Sequence, residues 1–430
     1  MAKLEIEIQT RKMLKPSTPT PNHLRTLKLS LLDQIASRKY VPVLFHYLPT
    51  SSSEGIAIAS EKLQNSLAET LTNFYPLAGR FREDEFSIHC NDEGVEYVET
   101  KVVNANLAEF LHQEPKNIEL LNDFLPDMDD HRPSSLLLGV QVNVLNCGGV
   151  VIGIQISHMV ADAFTLATFV NEWAHTNLTR TTKDCLPSFG HLSSLFPARV
   201  LSGPQFSPPS NIDPKTITRR FVFDVLAIAK LMETVNSNAT LTRPTRVAVV
   251  MSLIWKVLTG ISTAKRGHSR DSCLGFTINL RGKSNIPSLE HALGNCATNG
   301  IVKIEAGKEL NELVGKTIRD TCLLISKAAS VDDLSSLIVS NWKKGVDRYL
   351  RGGDVYGFTS WCGFPWYEAD FGWGKPSWVS YVCFDEWHIT LLMDTKNGDG
   401  IEAWVCLNEN DMIEFEKDPH ILTLCSPIPK

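Results

Sequence analysis

The sequence predicts an α/β fold built as two similar-sized domains, and three observations lead there. The chain has 430 residues, more than one hydrophobic core serves, which points to two domains of roughly 200 residues each. Short apolar runs of strand character alternate with segments of helical period along most of its length. Between about 186 and 218 the texture turns to Pro, Ser and Gly, with Pro187, Pro197, Pro204, Pro208, Pro209 and Pro214, as a long crossover between domains requires. The expected division is an N-terminal domain over 1–196, a linker over 197–219 and a C-terminal domain over 220–430. Part of 355–405 is left free to pack with the N-terminal domain.

Taken in order, residues 4–10 alternate as a strand, and Pro16, Pro19 and Pro21 then make a turn-rich connection. Leu63, Leu67, Leu71 and Phe74 stand at helical spacing over 60–74, and Pro76 ends that helix. Strands at 136–145 and 150–157 flank Asn146-Cys147-Gly148-Gly149, a hairpin signal. The second is apolar almost throughout, so both of its faces should be covered. Leu166, Phe169, Val170 and Trp173 mark the buried stripe of the next helix.

After the crossover come a short strand at 221–224 and an apolar helix at 246–259, with Thr245 placed to cap it. Strands near 273–279, 299–304, 355–361, 378–384, 388–394 and 400–406 then mix with helices near 308–328, 331–350 and 409–417. No internal repeat is visible.

A net charge of −6 and the lack of a Lys/Arg run give no general pull toward nucleic acid. The 10 cysteines form no CxxC pair and no tight framework, which reads as dispersed thiols in a reducing compartment. The start, MAKLEIEIQTRK, lacks a signal-type apolar run, and no stretch is expected to span a membrane. The sequons at Asn177 and Asn238 then read as chance matches, and the expected location is cytoplasmic.

The sharpest local feature is Ser157-His158-Met159-Val160-Ala161-Asp162-Ala163, directly after the buried strand and just before an amphipathic helix. A rigid element that ends there holds its loop residue at a crevice, where an imidazole can accept a proton near neutral pH. HxxxD alone also fits a structural histidine. A metal reading lacks a third or fourth ligand at useful spacing. A second feature is Asp370-Phe371-Gly372-Trp373-Gly374-Lys375-Pro376. It is no GxGxxG nucleotide loop and no helix pattern follows it, so it reads as a structural turn.

The combination of HxxxD, DFGWG some two hundred residues later and the chain length resembles the BAHD acyltransferases of plants. The resemblance extends to Leu32-Asp33-Gln34, Phe74-Tyr75-Pro76-Leu77-Ala78-Gly79-Arg80, Asn91-Asp92-Glu93-Gly94, Ser252-Leu253-Ile254-Trp255-Lys256, Asn279-Leu280-Arg281 and Gly294-Asn295. Within the family it is similar to the branch of vinorine synthase and salutaridinol acetyltransferase. That similarity rests on Lys15-Pro16-Ser17-Thr18-Pro19-Thr20-Pro21, Arg220-Phe221-Val222-Phe223-Asp224 and Met393-Asp394-Thr395-Lys396.

The resemblance implies two chloramphenicol-acetyltransferase-like domains with an interdomain channel, a monomer, acetyl-CoA as co-substrate with no resident cofactor or metal, and a small hydroxylated metabolite as acceptor. It makes His158 the general base and Trp361 a candidate oxyanion donor, with core filling the other reading of Trp361. Asp162, paired with Arg281, would hold the His158 loop without touching the reaction. Asp370, Gly372 and Gly374 would support the site, and Thr245 and Ser252 at the start of a helix, with Ser377 after DFGWG, would meet the coenzyme. Malonyl-transferring members carry an aromatic pair before Gly-Asn. Here the segment is His291-Ala292-Leu293-Gly294-Asn295-Cys296, which favours acetyl.

Two rivals stand beside this reading. A peptide-synthesis condensation domain carries HHxxxDG, but position 157 is Ser and no carrier domain accompanies the chain. A family member that binds metabolites or acts as a scaffold without turnover is the other.

Overall fold

The computed structural model describes residues 3–49, 56–112, 118–128, 136–182, 189–201, 216–236, 244–286, 289–305, 313–350, 354–382 and 389–425. They form two compact units. The first comprises Met1–Arg199, His291–Cys296 and Phe364–Val382; the second comprises Val200–Glu290, Ala297–Gly363 and Cys383–Lys430. The sequence expectation for 355–405 allowed one of the two late segments to join the first unit. It did not foresee that His291–Cys296, six residues with no secondary structure signal, would do so too. The expected linker lies mostly outside the described residues, as do Pro187, Pro204, Pro208, Pro209, Pro214, Cys185 and Cys383.

The first unit begins with β1 (Ile6–Leu14), β2 (Thr26–Lys28), β3 (Tyr40–Tyr47), β4 (Arg80–Arg82), β5 (Ser87–His89), β6 (Val95–Val102), β7 (Leu138–Leu145) and β8 (Val150–Ser157). Its helices are α1 (Leu31–Gln34), α2 (Ile56–Asn73), α3 (Leu107–His112), α4 (Ala163–Thr179) and α5 (Gly190–Leu195). The second unit supplies β9 (Thr216–Phe223), β10 (Ser272–Asn279), β11 (Ala297–Ile304) and β12 (Asp354–Ser360). The chain then returns to the first unit for β13 (Trp378–Ser380) and ends in the second with β14 (Ile389–Asp394) and β15 (Ile401–Asn408). Helices α6 (Val225–Asn236), α7 (Arg246–Arg266), α8 (Leu313–Lys327), α9 (Val331–Leu350), α10 (Glu409–Lys417) and α11 (Pro419–Leu424) belong to the second unit.

Each unit is organised on a six-stranded mixed sheet, ordered β1-β6-β7-β8-β3-β13 in the first and β11-β10-β12-β14-β15-β9 in the second. A small β2-β5-β4 sheet completes the first. β8 runs between β7 and β3 with seven of its eight residues buried, as its continuous apolar sequence requires. Its direction matters most, because its last residue is Ser157 and α4, which packs against α2, begins at Ala163. The stripe Leu166, Phe169, Val170 and Trp173 is fully buried, and Phe169 packs edge-on against Phe74 at 5.3 Å between ring centroids.

Strand β3 was not among the strands expected from sequence, and it contains Pro42. The proline is tolerated because β13 pairs with Leu44, Phe45 and His46, so at Pro42 the strand has β8 on one side and, among the described residues, no strand on the other.

Helix α7 corrects the membrane expectation, being long and apolar enough to cross a bilayer by length and composition. Its apolar residues from Ala248 to Leu258 are largely buried, and it packs against α6, α8, α10 and β12, which is how a core helix uses such a sequence. Asn177, one of the two sequon residues, is buried inside α4, so the folded chain offers it to no modifying enzyme. Asn238 lies outside the described residues.

His46 on β3 has a consequence for stability. It is fully buried, stacked on Trp378 at 4.9 Å and edge-on to Phe124, with Nε2 2.9 Å from Ser380 Oγ. Burial pushes its pKa down to about 3 from the ordinary 6.5, so the folded ring stays neutral near neutral pH. Between those values the unfolded chain binds the extra proton, so stability falls as pH drops from about 6.5 toward 3. His46→Gln, which does not titrate, should flatten this dependence by up to about 1.4 kcal/mol per pH unit in urea unfolding measured from pH 6 to 4. Identical slopes in the two proteins would contradict it.

Candidate active site

His158 stands where β8 stops. Its N–H donates to Lys39 O at 2.9 Å, continuing the β3–β8 ladder by one residue, while the turn that follows is closed by Val160 N–H to Ser157 O. Met159, Val160 and Ala161 are buried, whereas His158 is only half-buried. A single imidazole is therefore held on a rigid strand end, with apolar neighbours packed beneath it.

Its ring is oriented by Asn295. The Asn295 Nδ2 donates to two acceptors, His158 O at 2.7 Å and Asp33 Oδ1 at 2.9 Å. Neither acceptor can donate while Asp33 is ionised, so the amide nitrogen belongs on that side and Oδ1 faces His158 Nδ1, 3.0 Å away. An amide oxygen only accepts, so His158 Nδ1 carries the proton. Nε2 then keeps its lone pair, which is the tautomer a general base needs.

Asp33 is itself fixed by a capping box at the start of α1. Its Oδ2 accepts from Ser30 N–H and Ser30 Oγ, each at 2.7 Å, and its own N–H returns a bond to Ser30 Oγ. With one oxygen committed to the cap, the other is turned toward Asn295. Desolvation pushes the Asp33 carboxyl up, and the hydrogen bonds from Ser30 and Asn295 oppose that.

Asp162 does not face this ring. It is the N-cap of α4, with Oδ1 accepting Thr165 N–H at 2.9 Å and Oδ2 accepting Cys296 N–H at 3.0 Å. The same helix turn holds the residue on the other side of Asn295. Thr165 Oγ1 donates to Gly294 O at 2.9 Å and accepts from Gly294 N–H at 3.0 Å. Gly294 has φ of +108°, where a side chain would be strained, and a Cβ there would lie a tight 3.2 Å from Leu192.

The remaining sequence-selected residues are distributed between the units. Arg281 follows β10 in the second unit and is buried, with N–H and Nη1 both bonded to Asn279 Oδ1. Trp361 follows β12, also in the second unit; the residue is buried and its backbone N–H donates to Leu392 O at 2.8 Å. Thr245 caps α7 by accepting Ala248 N–H, and Ser252 Oγ donates back to Ala248 O. Ser377 belongs to the first unit, with its N–H on His46 O.

The DFGWG turn is built on one carboxylate. Asp370 Oδ1 accepts Gly372 N–H at 2.7 Å and Gly374 N–H at 2.9 Å, and the two glycines have φ of +99° and +90°. Phe371 inserts among Tyr47, Trp173 and Trp373, and Asn177 Nδ2 donates to its carbonyl at 2.7 Å. This is a staple within the first unit. Burial raises the Cys90, Cys362 and Cys425 pKa values to about 12, which keeps those three thiols protonated near neutral pH.

The Transferase family model matches residues 4–422, nearly the whole chain. The chain belongs to that family, the BAHD acyltransferases. It is 36% identical to acetyl-CoA-benzylalcohol acetyltransferase of Clarkia breweri, covering 98% of this chain and 100% of that protein. It is 34% identical to stemmadenine O-acetyltransferase of Catharanthus roseus, covering 96% and 97%. The crystal structure of vinorine synthase superposes with a TM-score of 0.84 at 32% identity, covering 99% of both chains. The vinorine synthase relative is from Rauvolfia serpentina. The two α/β units are those of a two-domain chloramphenicol-acetyltransferase-like enzyme.

Asn295, Asp33 and Thr165 were not selected as site residues from sequence. Asp33 and Asn295 did lie inside two of the strings that carry the family resemblance, which was the available signal. Thr165 had none, since a threonine in a first helical turn is unremarkable.

Proposed function

We propose that this BAHD enzyme transfers an acyl group, acetyl first, from acyl-CoA to a hydroxyl of a plant specialised metabolite of alkaloid or terpenoid type. The observation that carries the mechanism is the Asn295 contact, which puts the His158 proton on Nδ1 and leaves Nε2 basic. The acceptor O–H gives its proton to Nε2 as its oxygen bonds to the thioester carbonyl carbon. The resulting tetrahedral oxyanion collapses, the C–S bond breaks, and the imidazolium returns the proton to the departing thiolate. Trp361 is the candidate donor to the oxyanion. Thr245, Ser252 and Ser377 are the coenzyme contacts proposed. Support for the donor and acceptor classes comes from the names of relatives, which acetylate benzyl alcohol and the hydroxyl of stemmadenine.

The test is thiol release from acetyl-CoA across a panel of alcohols that includes benzyl alcohol and hydroxylated alkaloids and terpenoids, with the ester confirmed by mass spectrometry. Release matched by ester formation is expected, and the intact mass of enzyme incubated with acetyl-CoA alone should stay unchanged. Acceptor binding without turnover for every donor would favour a metabolite-binding scaffold. A stable +acetyl adduct would replace direct transfer by an acyl-enzyme.

A further inference from the structure

We infer that Thr165 is a positioning residue of the transfer reaction, setting the tautomer of His158 through the segment that carries Asn295. The inference rests on the assignment of His158 as the base.

The Gly294–Cys296 segment has no secondary structure of its own, yet its middle residue fixes the ring of His158. Something must hold it in register, and the first turn of α4 does so at both flanks. On one side the Asp162 carboxylate takes the N–H of Cys296. On the other, the Thr165 hydroxyl takes the N–H of Gly294 and donates to its carbonyl. One hydroxyl thus satisfies both backbone groups of one residue, the service a neighbouring strand would otherwise give.

Thr165 is fully buried, so water cannot replace it without repacking. The positive φ at Gly294 and the tight space beside Leu192 bring that backbone close enough for the clip to close. Asn295 therefore inherits its position from two anchors one residue away on each side. With the Thr165 anchor gone, Asn295 Oδ1 can drift from His158 Nδ1, and the proton is free to settle on Nε2, where it blocks the base.

Thr165→Val keeps the shape and removes both bonds, while Thr165→Ser keeps the hydroxyl. In the wild-type enzyme labelled with ¹⁵N-histidine, with the His158 signals assigned by their loss in His158→Gln, the ring should show the Nδ1–H tautomer. Thr165→Val should shift it to a tautomer mixture and lower kcat by up to about 10²-fold with KM for acetyl-CoA little changed. Thr165→Ser should restore both, and in an Asn295→Ala background Thr165→Val should cost nothing more.

A wild-type tautomer pattern in Thr165→Val, or equal loss in Thr165→Ser, would overturn the inference. If Thr165→Val fails to fold, Thr165→Ala takes its place, and failure of both would make the hydroxyl a folding determinant and end the positioning role. Activity surviving in His158→Gln would instead overturn the base assignment, leaving the NMR result to report on geometry alone.

Discussion

His158→Ala should reduce acyl transfer to background while the chain still folds. The side chain makes one described hydrogen bond, from Nδ1 to Asn295, and its backbone N–H to Lys39 O survives the change. The loss to stability is then about one hydrogen bond, of order 1 kcal/mol and at most about 3 kcal/mol if Asn295 Oδ1 is left dry. The loss to chemistry is larger, since general-base assistance contributes typically ~10²–10⁴-fold. Because the base acts only as the hydroxyl attacks, kcat should fall with the KM for acetyl-CoA little altered.

The alanine also leaves a gap the size of the missing ring, so added imidazole should restore part of the rate. His158→Gln should be equally inactive and refuse that rescue, because its amide fills the space and can donate to Asn295 without serving as a base. Unchanged turnover in either variant removes His158 from the mechanism. Turnover lost together with the unfolding transition would make it structural.

The parts of this site that could be read in advance are those encoded locally. The continuous apolar run ending at Ser157, followed by helical period from Leu166, gave the strand-to-helix junction and so the placement of His158. DFGWG could be read as a turn because two glycines flank its tryptophan and no helix pattern follows it. What escaped was non-local. Asn295 lies 137 residues from His158 in the chain, and Asp33 lies 262 residues from Asn295. No period or spacing connects them.

The same holds for β3, which was not among the strands expected from sequence and whose Pro42 lies beyond the stretch that pairs with β13. It holds too for His291–Cys296, whose packing in the first unit follows from bonds with Asp33, His158, Asp162 and Thr165, partners far away in the chain. Within the first unit the Asp162 carboxylate bonds to the first turn of α4 and to Cys296, contacts that the HxxxD spacing does not announce.

Those contacts give the second large effect, and it separates by substitution. Asp162→Ala removes the cap of α4, worth about 0.5–2 kcal/mol. It also leaves the Cys296 N–H without this acceptor in a buried setting, worth about 1–3 kcal/mol. A combined loss of roughly 2–5 kcal/mol is a large share of the stability of an ordinary domain, and turnover should fall with it because Asn295 is the residue next to Cys296.

Asp162→Asn behaves differently. Asparagine caps a helix as well as aspartate does, so Oδ1 can keep Thr165 N–H. The other end of the amide then presents a donor to the donor at Cys296, so the cap survives and the clamp does not. Asp162→Asn should therefore keep most of the stability, lose about 1–3 kcal/mol in urea unfolding, and still lose turnover with the His158 tautomer disturbed. If Asp162→Asn unfolds like the native chain, shows an undisturbed His158 ring and yet has lost turnover, the carboxylate acts on the reaction by charge. Its place would then be in the chemistry, and not in the scaffold that holds Asn295 against the base.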